Sequence, residues 1–254
     1  MKDDRRPWPL ACVWMLCAGA FFFLTYGAAN WLAAQRSNVG SIVFEWERHI
    51  PFLAWTIVPY WSTDLLFALS FFVCSTRREL EVHGRRLIAA QVVCVTVFLL
   101  FPLRCAFVHP APAAPFGFLF RALSSFDRPF NQAPSLRLAL TTILWVKYSD
   151  HTRGWLRLLL RTWLVLSGLS TLTTYQHQFI DVPTGVWVGL FCLVLFPKGE
   201  WKPRILMEPR QLALATLYLA GSACFALVAV LLGNGWWLGL WPARFAPFRM
   251  WLPA

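Results

Sequence analysis

Charged side chains are scarce in this sequence. Asp, Glu, Lys and Arg make up 14% of its 254 residues and hydrophobic residues 58%, with a mean hydropathy of +0.54. That balance excludes a soluble domain of this size and points to an integral membrane protein. Acidic residues are the rarest charges, 12 against 23 basic ones, for a formal net charge of +11. The excess does not read as a nucleic-acid surface, because the basic residues fall in short loops between apolar runs. None of the 7 cysteines (Cys12, Cys17, Cys74, Cys94, Cys105, Cys192 and Cys224) belongs to a Cys-x-x-Cys pair, and most sit inside apolar runs. They read as small lipid- or helix-facing residues, not as a disulfide or metal framework. The sequence also lacks a Walker-type phosphate loop, a dinucleotide fingerprint, an internal repeat and a metal-ligand cluster. The expectation is therefore no metal and no cofactor.

Apolar runs and aromatics dominate what is there. The chain carries 15 Trp and 22 Phe, residues expected at lipid interfaces or against acyl chains. A membrane helix needs about 20 largely apolar residues, and seven candidate spans are predicted, near 9–34, 51–74, 87–103, 134–148, 156–175, 182–196 and 212–232. The fourth and sixth are short, so they extend into polar flanks or tilt. The first run is too long for a cleavable signal and lacks a small-residue exit. The predicted organisation is a first span over 1–38, a membrane domain over 39–205, and a last span with a short tail over 206–254. Residues 244–254 are too short and too proline-broken to cross again, which reads as a truncated or diverged end.

Orientation follows from the loops. Lys2, Arg5 and Arg6, then Arg77, Arg78, Arg85 and Arg86, then Lys147, Arg153, Arg157 and Arg161, then Lys198, Lys202, Arg204 and Arg210 fall on one side. By the positive-inside rule that side is cytoplasmic, and the N-terminus lies there. On the opposite side Arg104, Arg121, Arg128 and Arg137 crowd the longest outward loop. Topology alone thins arginines there, so an anionic ligand is expected. Phosphate fits best, because Arg grips it bidentately.

The same outward side carries His177 and Asp181, between two apolar segments. An imidazole and a carboxylate at the mouth of a membrane helix are costly and hence candidates for function. Their spacing is one helical turn, which predicts one shared face, and a carboxylate beside a histidine fixes its tautomer. Such a pair serves nucleophilic or acid–base chemistry; the plain alternative is an interfacial hydrogen-bonded pair. Three segments converge with it by topology: Arg121 to Pro129, Asn131 to Arg137, and Ser170 to Asp181. Asp64, inside the second apolar run, is read with equal weight as structural or as substrate-contacting.

These segments resemble the three signature motifs of the type 2 phosphatidic acid phosphatase superfamily. Arg121 and Arg128-Pro129 match the first motif, with Arg for its Lys. Pro134-Ser135-Leu136 match the second, with Arg137 in place of its histidine. Ser170, His177 and Asp181 match the third, with Thr171 in place of its arginine. The stretches Ile50-Pro51-Phe52, Pro59-Tyr60-Trp61, Phe130 to Leu136 and Thr173 to His177 are similar to the inositol phosphorylceramide synthase-like branch, whose bacterial members often carry a fused cytosolic dual-specificity phosphatase domain. The resemblance covers roughly residues 40–200. It implies an all-α polytopic bundle with a six-helix core and a lipid-phosphate phosphatase or phosphotransferase acting by a phosphohistidine. His177 is then the nucleophile and Asp181 its orienter. Arg121, Arg128, Ser135 and Ser170 hold the phosphate, and no metal is needed.

The resemblance also implies a defect. The motif's histidine protonates the leaving oxygen, and Arg137 cannot, since its pKa exceeds about 12. Three readings stay open: a slow enzyme favouring a diphosphate with its better leaving group, an enzyme using Arg137 as an extra phosphate clamp, or a catalytically silent lipid-phosphate-binding membrane protein. A scaffold or transporter ranks last, because the charges cluster at the outer ends of the spans. The expected partners are a membrane lipid phosphate or diphosphate and the bilayer, with the active site facing the periplasm of a bacterial inner membrane.

Overall fold

The structure, a computed structural model, describes residues 6–37, 39–108, 110, 115–198 and 248–249. Among these it is all-α apart from one two-residue antiparallel pairing, β1 (Val43–Phe44) with β2 (Phe248–Arg249). Seven helices follow in order: α1 (Trp8–Ala34), α2 (Ile57–Ser70), α3 (Arg77–Leu100), α4 (Gly117–Phe126), α5 (Leu136–His151), α6 (Gly154–Thr173) and α7 (Asp181–Leu195). Two of them, α1 and α3, are long and apolar enough to cross a membrane. The predicted run at 212–232 lies outside the described residues.

Six of the helices alternate in direction. Segments 71–76 and 152–153 turn at one end of the bundle; 35–56, 101–135 and 174–180 turn at the other. The central element is α5, which packs on α2, α3, α6 and α7, while α1 lies against α3. The main core joins Phe71, Leu80, Leu87 and Phe98 to Leu136, Ile143 and Val188.

Polarity is arranged with apolar residues outward. Leu16, Phe23, Leu24 and Trp31 of α1 are exposed, as are Leu65 of α2 and Trp155 and Leu158 of α6. Meanwhile Asn30, Gln91, Thr141, Ser167 and Thr171 are buried. Water does not favour that distribution; a hydrocarbon surround does.

Local chemistry explains where the elements depart from hydropathy. α3 starts at Arg77, well before the predicted start at 87. The Thr76 side chain accepts the Glu79 amide (3.2 Å) and Glu79 Oε2 accepts the Ser75 amide (2.8 Å), a capping arrangement that lets a charged segment form helix. α2 starts at Ile57, not at 51, because the Leu53 amide is bonded to the Thr173 carbonyl (2.9 Å) and only a short 3-10 turn, Ala54–Thr56, precedes the helix. α4 occupies part of the predicted loop. It buries Gly117, Phe120 and Leu123 at helical spacing against Ile57 and Tyr60, while Phe118, Arg121 and Ser124 stay exposed.

α7 approaches α5 closely through Gly185 and Gly189. A Cβ on Gly185 would lie 2.4 Å from the Ser135 carbonyl oxygen, and one on Gly189 would lie 2.7 Å from that of Ala139. Small residues four apart let helix backbones meet in this way. Gly185→Ala is expected to push α7 off α5 at a cost of about 1–3 kcal/mol, read as a lower thermal unfolding midpoint in detergent. An unchanged midpoint would mean the contact is looser than described.

Candidate active site

The turn from α6 to α7 is built by a Schellman motif. The Gln176 amide reaches the Thr171 carbonyl (3.1 Å), the Tyr175 amide reaches that of Leu172 (3.1 Å), and Tyr175 sits at φ 56°. That left-handed position normally holds Gly. Tyr175 is held there from outside: its hydroxyl donates to the Ile50 carbonyl (2.8 Å) and its ring meets Phe52 and Phe107. The reversal carries the His177 amide onto the same Thr171 carbonyl (3.0 Å).

His177 and Asp181 are therefore not on one helical face. His177 lies in the turn and Asp181 is the first residue of α7. They still meet, because Asp181 Oδ2 accepts both the Gln178 amide (2.9 Å) and His177 Nδ1 (3.1 Å). On the other side of the ring, His177 Nε2 lies 3.2 Å from Ser135 Oγ. Ser135 is the N-cap of α5, accepting the Leu138 amide, and its own amide donates to the Asp181 carbonyl (3.1 Å). The three residues are 0% (Ser135), 6% (His177) and 0% (Asp181) exposed. With Asp181 as carboxylate, Nδ1 carries the ring proton and Nε2 keeps its lone pair toward Ser135. This is an imidazole oriented by a carboxylate and fixed to two helix starts, an arrangement that suits a nucleophile or a base.

Among the described residues, none of the others predicted for the site is hydrogen-bonded to this trio by its side chain. Arg137 runs back to α2, donating to the Tyr60 carbonyl (2.9 Å), pairing with Asp64 (3.3 Å) and stacking 3.8 Å over the Tyr60 ring. Asp64, the carboxylate inside the second apolar run, is thus Arg137's ion-pair partner. The Ser170 hydroxyl donates to the Ser167 carbonyl (2.6 Å) inside α6. Arg121 and Arg128 are exposed on and just after α4. Among the described residues no group of His, Cys, Asp and Glu has metal-site geometry.

Asp127 is a neighbour that the sequence did not single out. At the C-terminal end of α4, its Oδ1 accepts the Tyr26 hydroxyl (3.0 Å) and the Asn30 amide (3.2 Å) from α1. It lies within electrostatic range of both His177 and Arg137. A little of its surface is exposed, but the surroundings are protein. That desolvation raises its carboxyl above the usual aspartate range, against the opposing effects of the Tyr26 hydrogen bond, His177 and Arg137. Its only sequence signal was a place next to Arg128-Pro129.

Beside the trio lies a cavity of about 410 Å³ lined by Ser41, Arg48, Arg104, Phe107 and Tyr175. Gln178, buried behind this wall, holds Ser41 and Ala106 in place. In the orientation that satisfies every group, its amide nitrogen donates to the Ile42 carbonyl (3.0 Å) and its oxygen accepts from Ser41 Oγ (2.7 Å) and the Ala106 amide (2.9 Å). Two arginines and two aromatic rings suit an anionic group joined to an apolar one. Compared with known proteins, the chain matches no protein-family model, no curated protein and no solved structure.

Proposed function

We propose that the chain is a polytopic membrane protein that transfers phosphoryl groups from a lipid phosphate or diphosphate at the outer face of a bacterial inner membrane, with its N-terminus cytoplasmic. The observation that carries this reading is the hydrogen-bonded chain from Ser135 through His177 to Asp181. The motif resemblance supports it, as do the apolar exterior and the arginines at that end of the bundle. His177 Nε2 attacks phosphorus, the lipid oxygen leaves, and water or an alcohol then takes the phosphoryl group from the phosphohistidine. Arg121 and Arg128 steady the phosphate oxygens, where charge is carried during transfer. The Ser135 hydroxyl turns from Nε2 to the phosphate as the N–P bond forms.

The leaving oxygen needs a proton, and Asp127 is the group we assign to it. A carboxyl raised by burial stays protonated to higher pH than an ordinary aspartate, which widens the pH range over which it can donate. The rate then falls as pH rises through the raised Asp127 pKa. Asp127→Asn is expected to lower turnover on a monoester about 100-fold and to remove that alkaline limb. A pH profile unchanged in the variant would discard Asp127 as the acid.

The direct test is phosphate release from phosphatidate and a polyprenyl diphosphate by the purified protein in detergent. The same hydrogen-bonded trio also favours a second reading, with Ser135 as nucleophile and His177 as its base. Full burial of Ser135 and its capping role weigh against it. A phosphoryl label on His177 is labile to acid and stable to base; one on Ser135 is the reverse. Retained lipid phosphate with no release and no label, from folded protein, would make the chain a silent binder.

A further inference from the structure

At the other end of the bundle, about 18 Å along α5 from Ser135 to Lys147, lies a second cavity of about 490 Å³. It is independent of the His177 site. Its walls carry four permanent cations, Arg78, Arg86, Lys147 and Lys198, against two carboxylates, Glu79 and Asp150. The deepest cations are Arg86 and Lys147, 7% and 6% exposed. Lys147 Nζ pairs with Glu79 Oε1 (2.7 Å), an atom it shares with His151 Nε2 (3.0 Å), and Lys198 pairs with Asp150. Arg86 Nε donates to the Phe196 carbonyl (2.8 Å), a partner that carries no charge. Arg78 and Lys198 are exposed, so the costly charge is that of Arg86, a deep guanidinium in no ion pair among the described residues, and an anion beside it would offset that cost.

His83 narrows the kind of anion. It lines the same cavity and is 1% exposed. Its Nε2 lies 2.7 Å from Ser70 Oγ, whose own proton goes to the Phe67 carbonyl (2.6 Å). Nε2 is therefore the donor, and Nδ1 of the neutral ring is an acceptor. That Nδ1 is buried with no hydrogen-bond partner among the described residues. A buried acceptor among cations fits an anion that still carries a proton. Inorganic phosphate keeps one at neutral pH and a phosphate monoester keeps one as its monoanion, whereas sulfate and phosphodiesters have none.

We propose that this cavity binds a protonated phosphate group, either the monoester headgroup of a lipid in the leaflet at that end or free inorganic phosphate. Charge-assisted hydrogen bonds from Arg86 and Lys147 hold its oxygens and its P–OH donates to His83 Nδ1. The site lies away from the chemistry, so occupancy fixes the ends of α3, α5 and α7 against each other without entering the reaction.

The test uses the full chain in nanodiscs. One arm compares phosphatidic acid, a monoester, with phosphatidylglycerol, a diester, in a phosphatidylcholine background. The other adds inorganic phosphate or sulfate to phosphatidylcholine discs. Bound anion is read by native mass spectrometry and by the unfolding midpoint. Phosphatidic acid or inorganic phosphate should be retained over its partner, and whichever arm responds identifies the source. Arg86→Gln should weaken retention at least about tenfold, and Glu79→Gln, which removes a competing charge, should strengthen it. Both arms use the His177→Ala background, in which phosphatidic acid is not turned over, so that dependence on Arg86 reports this cavity and not the site at the far end. Equal retention of the two lipids and the two ions, or insensitivity to Arg86→Gln, would each overturn the proposal.

Discussion

Replacing His177 by Ala is expected to cut phosphate release by on the order of 10⁴-fold or more while leaving the protein folded. The expectation rests on what the ring does and does not support. Its Nε2 and Nδ1 face Ser135 and Asp181, so its removal deletes the attacking atom and not merely a contact. The backbone of the turn is held separately, by the Thr171 carbonyl, the Tyr175 hydroxyl and the capture of the Gln178 amide by Asp181. The fold should therefore outlast the ring, although Asp181 loses one partner. Measuring release beside the thermal unfolding midpoint separates the two effects. Release that survives in a folded His177→Ala protein would end the phosphohistidine reading and return attention to Ser135.

The parts of this molecule that were legible in its sequence are those set by hydropathy and by local spacing. Apolar runs marked α1, α5, α6 and α7 within a few residues, because Ser135 and the turn 174–180 bound them sharply. Hydropathy failed on α3. There Arg77 to Arg86 look like a solvated loop, yet Thr76 and Glu79 cap a helix whose first turns line a cavity. It failed on α4 too, a short amphipathic helix that gains its place by packing on Ile57 and Tyr60.

The site divides in the same way. The meeting of His177 with Asp181 follows from their nearness in sequence, though a Schellman turn and a helix start bring it about rather than a helical face. Ser135 was named from a motif, and only the fold shows that it abuts His177 Nε2. Asp127, the Arg137–Asp64 pair and the His83 cavity join residues far apart in the chain. No spacing rule reaches them.

Arg137→His is expected to raise turnover on a phosphate monoester by only about 3-fold while Asp127 supplies the proton, and by up to about 10²-fold in the Asp127→Asn background, where the imidazole becomes the general acid. It should raise turnover much less on a diphosphate, whose leaving group needs less help. The arginine is bound to α2 rather than aimed at substrate, so removing it sacrifices structure: a carbonyl hydrogen bond, the stack on Tyr60 and the contact with Asp64. Asp64 is 47% exposed in its side chain and stays hydrated, so the stack is the larger loss, about 0.5–2 kcal/mol. The rate ratio between the two substrates decides what Arg137 does. A gain confined to the monoester means that protonation of the leaving oxygen limits the rate. A loss on both means the guanidinium works in catalysis, whether on phosphate or by holding Asp127 in electrostatic register. The double variant with Asp127→Asn makes the last distinction. If a histidine at 137 restores the rate that Asp127→Asn removes, the two positions supply the same proton. If it does not, Asp127 serves the site by its charge and its hold on α1, and the leaving oxygen draws its proton from water.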